Sequence, residues 1–224
     1  MPKYNHVTFE DILKNEEIKA YIETGNENLG QIGFTEHGFP HAKRSANYAG
    51  NILESLGYDE RTCELARIAG YMHDIGNVVN RADHAQSGAL MAFDILNRLG
   101  MPPKEVALIS AAIGNHDEGT AVAVSPIAAA LILSDKGDVR RTRVRDKETV
   151  SEDIHDRVNY AVERASTVID PERKTATLNI KIDTLICPVM EYFEIFMTRM
   201  VLCRQAARFL GLQFELIIND TRLL

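Results

Sequence analysis

A histidine followed by an aspartate, His73-Asp74, closes an otherwise apolar helical stretch in GYMHDIG, and no other feature constrains the fold as strongly. Leu65, Ile68, Ala69 and Met72 precede it, so the pair sits at the edge of a buried surface, where an imidazole and a carboxylate both need partners. For the dipeptide alone two readings stand: hydrogen bonds at a helix end, or a cation. The wider pattern favours the cation. His41, His84, His116 and Asp135 each fall in or beside a different predicted helix, and nitrogen and oxygen ligands converging from several helices are how bundles build metal sites.

Capping signals lay out those helices. Thr8, with Asp11 three residues on, opens a first helix carrying Phe9, Ile12, Leu13, Ile18 and Ile22 on one face, and Gly25 is expected to end it. A Gly-rich loop over 25–40 follows. Pro40 starts a helix through His41 to Leu56, with Gly57 at its end. Asp59 caps the next, which runs to the His-Asp pair. A third starts near Asp83 and stops at Gly100, Pro102 and Pro103 open a fourth ending near His116, and Ser125 with Pro126 opens an apolar fifth, SPIAAALILSD.

After Ser151 the periodicity changes. A short helix around residues 152–162 precedes TVID, the turn-prone PERK and TATLNIKID, in which Leu178, Ile180 and Ile182 alternate with polar residues. A long helix over 188–210 ends at Gly211, and LQFELIIND alternates again. The expected architecture is mainly α: a helical bundle over residues 1–147, then a small C-terminal α+β region over 148–224 made of a short antiparallel sheet and one long helix.

The 224 residues can bury a sizeable core without disulfides. Cys63, Cys187 and Cys203 form no CxxC pair and read as reduced thiols, which excludes a zinc ribbon. The N-terminal stretch lacks an apolar signal core, and the most apolar run, 121–133, is too short to span a bilayer. A cytoplasmic protein without membrane attachment is expected. A net charge of -7 opposes non-specific nucleic-acid binding. Locally, however, Lys136, Arg140, Arg141, Arg143 and Arg145 crowd behind Asp135, a patch sized for one phosphorylated ligand.

In order, HAKRSA, GYMHDIG, HAQSGA, IGNHDEG and LILSDKGD resemble the successive metal motifs of the HD superfamily of phosphohydrolases, over about residues 37–145. The resemblance implies an HD-type bundle and, because His84 and His116 supplement the basic set, its two-metal branch. That branch includes cyclic-dinucleotide phosphodiesterases, bacterial HD-type diadenosine tetraphosphate hydrolases and di-iron oxygenases. The HAQSGA and NHDEG pair looks most like the tetraphosphate hydrolases. By likeness, His41, His73, Asp74 and Asp135 hold one divalent ion, and Asp74, His84 and His116 hold the other, with Asp74 bridging. Two such cations share a hydroxide that attacks a phosphate ester or anhydride, here of a nucleotide or dinucleotide. Iron or manganese is expected, and zinc, cobalt, nickel and magnesium also suit the donors. Asp74 and Lys136 are the candidate catalytic residues.

Several positions depart from the family pattern or leave alternatives open. Many members place a lysine after HDIG, but this chain has Asn77, so substrate charge must be met by Lys136 or by Arg140, Arg141, Arg143 or Arg145. Those arginines also read as a solvated helix end pairing with Asp138, Asp146 and Glu148, although their place straight after Asp135 favours substrate contact by one or two of them. His37 lies four residues before His41, with Pro40 between, and His41 fits the motif better. Asp117 and Glu118 read as ligands, as orienting carboxylates, or as solvated charges. His6 and His155 read as surface residues. Two further function classes stay open: a di-iron oxygenase on the same ligands, and a ligand-binding regulatory module whose tail strands pair across a homodimer.

Overall fold

Gly25 does not end the first helix. In the computed structural model, which describes residues 4–224 (for Thr149, only its backbone), the N-terminal segment forms two helices, α1 (Phe9–Lys14) and α2 (Glu16–Gln31). Thr8 and Asp11 form the expected reciprocal capping box, but Asn15 then caps a second start by accepting from the Ile18 amide. Gly25 lies buried inside α2 because a Cβ there would stand 3.1 Å from the Val78 nitrogen. It marks a close backbone approach. The expected loop over 25–40 shrinks accordingly to the residues between Gln31 and Phe39.

The next five helices follow the capping signals: α3 (Phe39–Ser55), α4 (Glu60–Met72), α5 (His84–Arg98), α6 (Pro103–Gly114) and α7 (Pro126–Lys136). Asp59 and Ser125 accept from amides in the first turns of α4 and α7, which satisfies donors that a helix start leaves open. Every residue of α7 from Ile127 to Lys136 is buried. This all-round burial, with α3, α4, α6 and α9 packed about it, is what its apolar sequence calls for. A 3₁₀ turn, Ile75–Val78, follows the His-Asp pair and packs between α2 and α5.

The C-terminal region comprises α8 (Ile154–Ala161), β1 (Val162–Asp170), β2 (Thr175–Ile182), α9 (Val189–Phe209), β3 (Gln213–Ile218) and β4 (Thr221–Arg222). The strands form a four-stranded sheet in sequence order. Pairing is antiparallel for β1–β2 and β3–β4, as expected, but β2 and β3 run parallel, Leu178 opposite Leu216. α9 is the crossover that a parallel pair requires. It also packs on α7, which brings the sheet against the end of that helix. β2 is buried on both faces over Thr175–Leu178 and alternates as expected beyond it, with Leu178, Ile180 and Ile182 buried and Lys181 exposed. None of the helices among the described residues is long and apolar enough to cross a membrane.

Candidate metal centre

The ends of α4, α6 and α7 and the starts of α3 and α5 converge on one buried point. His41, His73, His84 and His116 are each no more than 2% exposed, and Asp74 and Asp135 each 8%. The backbone sets three of the four rings by the same device. His73 Nδ1 donates to the Gly70 carbonyl at 2.8 Å, His84 Nδ1 to Arg81 at 3.0 Å and His116 Nδ1 to Ile113 at 2.6 Å, each an acceptor three residues earlier. His41 Nδ1 instead donates to the Asp138 carboxylate at 2.8 Å. With every Nδ1 committed as a donor, every Nε2 faces inward and is the ring atom left to meet a cation.

Those nitrogens form two pairs around Asp74. His41 and His73 bring their Nε2 atoms to 3.2 Å of each other, and His84 and His116 do the same. Asp74 Oδ2 lies 3.6 Å and 3.4 Å from the first pair, and Oδ1 lies 3.4 Å and 3.8 Å from the second. Asp135 Oδ1 joins the first pair, 3.3 Å from His41 and 3.7 Å from His73. Three overlapping sets of donor atoms each lie within 4.8 Å: His41, His73 and Asp74; His73, His116 and Asp135; Asp74, His84 and His116. Asp74 Oδ2 is buried with no hydrogen-bond partner, a costly state for a carboxylate oxygen unless a cation meets it. Two imidazole Nε2 atoms 3.2 Å apart likewise need a proton or a metal ion between or beside them. The residues present fit a metal site.

The electrostatics of the metal-free cluster agree. Burial opposes charge on His73, yet Asp74 and Asp135 beside it raise its pKa to about 10. Burial, with His73 and Lys136 nearby, lowers that of His116 to about 3. Burial works against the Asp74 and Asp135 carboxylates too, but His73 beside the first and Lys136 beside the second hold both well below the usual range. Asp138, which the sequence offered only as an arginine partner, holds the outer face of His41. It is 1% exposed and is itself held by Arg44 Nε at 2.9 Å and Arg140 Nε at 2.8 Å.

A cavity of about 400 Å³ opens over this centre, bounded by Phe34 and His37, by Arg81, by Lys136, and by α8 and α9 of the C-terminal region. Lys136 lies at its wall with Nζ 2.8 Å from Asp135 Oδ2. Of the four expected arginines only Arg143 borders the cavity, and its Nε and Nη1 donate to the carbonyls of Glu36 and Asp138. The other three turn elsewhere: Arg140 to Asp138 and Glu36, Arg141 to the Tyr160 carbonyl, and Arg145 to Phe34 and Asn26 across Gly30. As placed here they tie the post-α7 loop to its neighbours, Arg140 to Asp138 and the loop before α3, Arg141 to α8 and Arg145 to α2, and they do not wall the cavity. Sequence reasoning passed over Arg81 and Arg199, which do line the cavity. Arg81 Nη1 lies 3.4 Å from both Asn77 Oδ1 and His84 Nε2, so it delivers positive charge where Asn77 carries none. Arg199 shares a helical face with the buried Phe196, Met200 and Cys203, and an arginine on an otherwise apolar face was a readable signal.

His37 borders the cavity with its Nδ1 donating to the Thr35 carbonyl at 2.7 Å, its ring 5.5 Å from that of His41. His155 is exposed, as expected, but at the cavity mouth; His6 lies far from the centre, beside Glu64. Asp117 Oδ1 comes within 3.9 Å of His84 Nε2, while Glu118 meets Arg199 and Lys136. The three cysteines are free and buried.

Comparison with known proteins agrees with this geometry. The chain is 28% identical over 159 residues to the uncharacterized protein MJ1020 of Methanocaldococcus jannaschii, an alignment covering 61% of each chain. It thus spans about three-fifths of that relative's length. The HD domain family matches residues 38–158, from the start of α3 into α8 and so over every residue of the histidine-aspartate cluster. This chain belongs to the HD domain family.

Proposed function

We propose that the protein is a metal-dependent phosphohydrolase in which His41, His73, Asp74 and Asp135 hold one divalent cation and Asp74, His84 and His116 hold a second. One observation carries the reading: two imidazole pairs, their Nδ1 atoms already committed, face the two oxygens of the single buried Asp74 carboxylate. Membership in a family made up mostly of metal-dependent hydrolases supports it. Bound divalent cations supply Lewis acidity toward a phosphoryl oxygen and lower the pKa of a water nucleophile. Iron or manganese is the best match to mixed imidazole and carboxylate donors.

The chain's own side chains do the remaining work. Asp74 bridges and orients, since its two oxygens address different histidine pairs. Lys136, 4% exposed and held by Asp135, presents a fixed ammonium to an equatorial phosphoryl oxygen, where charge builds in the transition state. Arg81, on the opposite side of Asp74, offers a second cation in place of the absent lysine. Asp138 keeps His41 in one tautomer and orientation. The cavity volume suits a ligand of nucleotide size, and Phe34, 40% exposed at the cavity wall, offers a ring on which a base stacks. A nucleotide or dinucleotide is therefore the substrate class we favour.

The test is a screen of purified, metal-defined protein against nucleoside phosphates and dinucleoside polyphosphates, with oxygen consumption followed in parallel. Metal-dependent hydrolysis that Asp74→Ala abolishes, read as orthophosphate or as nucleotide product, is the expected result. Oxygen uptake without hydrolysis would replace this reading with the di-iron oxygenase, and ligand binding without turnover would replace it with a regulatory module.

A further inference from the structure

Resting on the phosphohydrolase reading, we propose that Arg199 and Glu118 form a second anion subsite adjoining Lys136, and that the substrate carries another anionic group beside the phosphate that is cleaved. The two cations come from different parts of the fold, Lys136 from the end of α7 and Arg199 from α9 of the C-terminal region. Both reach the same atom: Glu118 Oε1 lies 3.5 Å from Lys136 Nζ and 2.5 Å from Arg199 Nε. Lys136 also touches Asp135 at 2.8 Å. Charges therefore alternate along a line, Asp135, Lys136, Glu118, Arg199, that leads from the metal centre up the wall of the cavity.

Glu118 is suited to be a stand-in for a ligand on that line. Its side chain is 27% exposed, so an incoming anion displaces a carboxylate already in contact with water, at small desolvation cost. It sits in the turn after α6, not within a helix. Arg199, by contrast, is held in place: its guanidinium stacks 4.2 Å over the Phe196 ring, and Phe196 is 1% exposed. Once a cation offsets Asp135, the remaining trio has two positive groups against one negative. That surplus charge, on a rigid arginine facing the same cavity as the metal ligands, suits a carboxylate or a second phosphate. A purely structural tie between α9 and the turn predicts the opposite response to removing Glu118.

Calorimetric titration of the manganese-loaded protein with phosphoglycolate and with ethyl phosphate separates the cases, because the two differ by a carboxylate in place of a methyl group. The subsite predicts that phosphoglycolate binds at least about tenfold more tightly, the scale of one charge-assisted contact. Arg199→Gln should bring the two ligands within about twofold of each other while ethyl phosphate affinity holds, and Arg199→Lys should retain part of the preference. Glu118→Gln should strengthen phosphoglycolate binding, and it decides the matter should Arg199→Gln fail to fold. Equal affinities in the wild type, a preference that survives Arg199→Gln, or phosphoglycolate binding that Glu118→Gln leaves unchanged or weaker would overturn the subsite. Ethyl phosphate binding without preference ends only this inference; no binding of either ligand ends the phosphohydrolase reading with it.

Discussion

Gly76→Ala tests whether the motif glycine is there for space. A Cβ on Gly76 would lie 2.0 Å from the carbonyl oxygen of His84 and 2.5 Å from the Gly88 nitrogen. Ordinary van der Waals contact begins near 3.4 Å, so the first distance falls short by about 1.4 Å. Both neighbours are backbone, and no rotamer change relieves the clash. The start of α5 must retreat, and His84 is its first residue. Overpacking of this kind costs about 1 to 3 kcal/mol, and backbone on two sides puts this site at about 3. At roughly 2 to 4 °C per kcal/mol for a chain of this size, Tm should fall by about 6 to 12 °C. Urea and thermal denaturation of the chelator-treated protein, followed by circular dichroism, measure this without metal linkage. Metal analysis should then show about one equivalent lost, because the retreat carries His84 away from Asp74. A variant within about 0.5 kcal/mol of wild type that binds its full metal complement would refute the packing argument.

Other outcomes follow from the same geometry. His84→Ala and His116→Ala should each lose about one metal equivalent while staying folded, as elemental analysis and circular dichroism would show; full metal content in both would remove the second site. Asp138→Asn should weaken metal binding by about 10- to 100-fold in competition with a chelator, through the loosened His41. In the metal-free protein the raised pKa of His73 means that its charged pairing is fully present below about pH 6.5 and is lost as pH rises through about 10. Metal must displace that proton, so apparent affinity should rise by up to about tenfold per pH unit between pH 7 and 9; a flat titration would contradict it. Arg81→Gln and Lys136→Met should each lower kcat/KM by about tenfold with metal content intact, whereas Arg145→Gln, which unties Phe34 and Asn26, should lower Tm and leave metal content unchanged.

Much of the bundle was legible because its signals are local. Asp59, Ser125 and the prolines at 40, 103 and 126 each specify a helix start from a few residues of sequence. Gly25 was not legible in this way: an end-of-helix glycine and a close-approach glycine look alike until the partner, here the 3₁₀ turn after Asp74, is in place. The parallel pairing of β2 and β3 is a non-local fact, although the order strand, long helix, strand already pointed to a crossover. The histidines and aspartates carry the clearest signal because few other arrangements explain six such residues at helix ends. Their neighbours carry less. Adjacency to Asp135 suggested a cluster of substrate-binding arginines, but direction is set by local turns, and Arg140, Arg141 and Arg145 point to Asp138, α8 and α2 instead. Arg81 and Arg199, isolated in sequence, reach the cavity because the turn before α5 and helix α9 border it.

Anomalous diffraction from crystals of the metal-loaded protein, recorded at the absorption edge of the bound metal, bears most directly on the central claim. The account predicts two peaks, one on each side of the Asp74 carboxylate, the first among His41, His73 and Asp135 and the second between His84 and His116. A single peak away from Asp74, or none within bonding distance of His73 and His84, would contradict it.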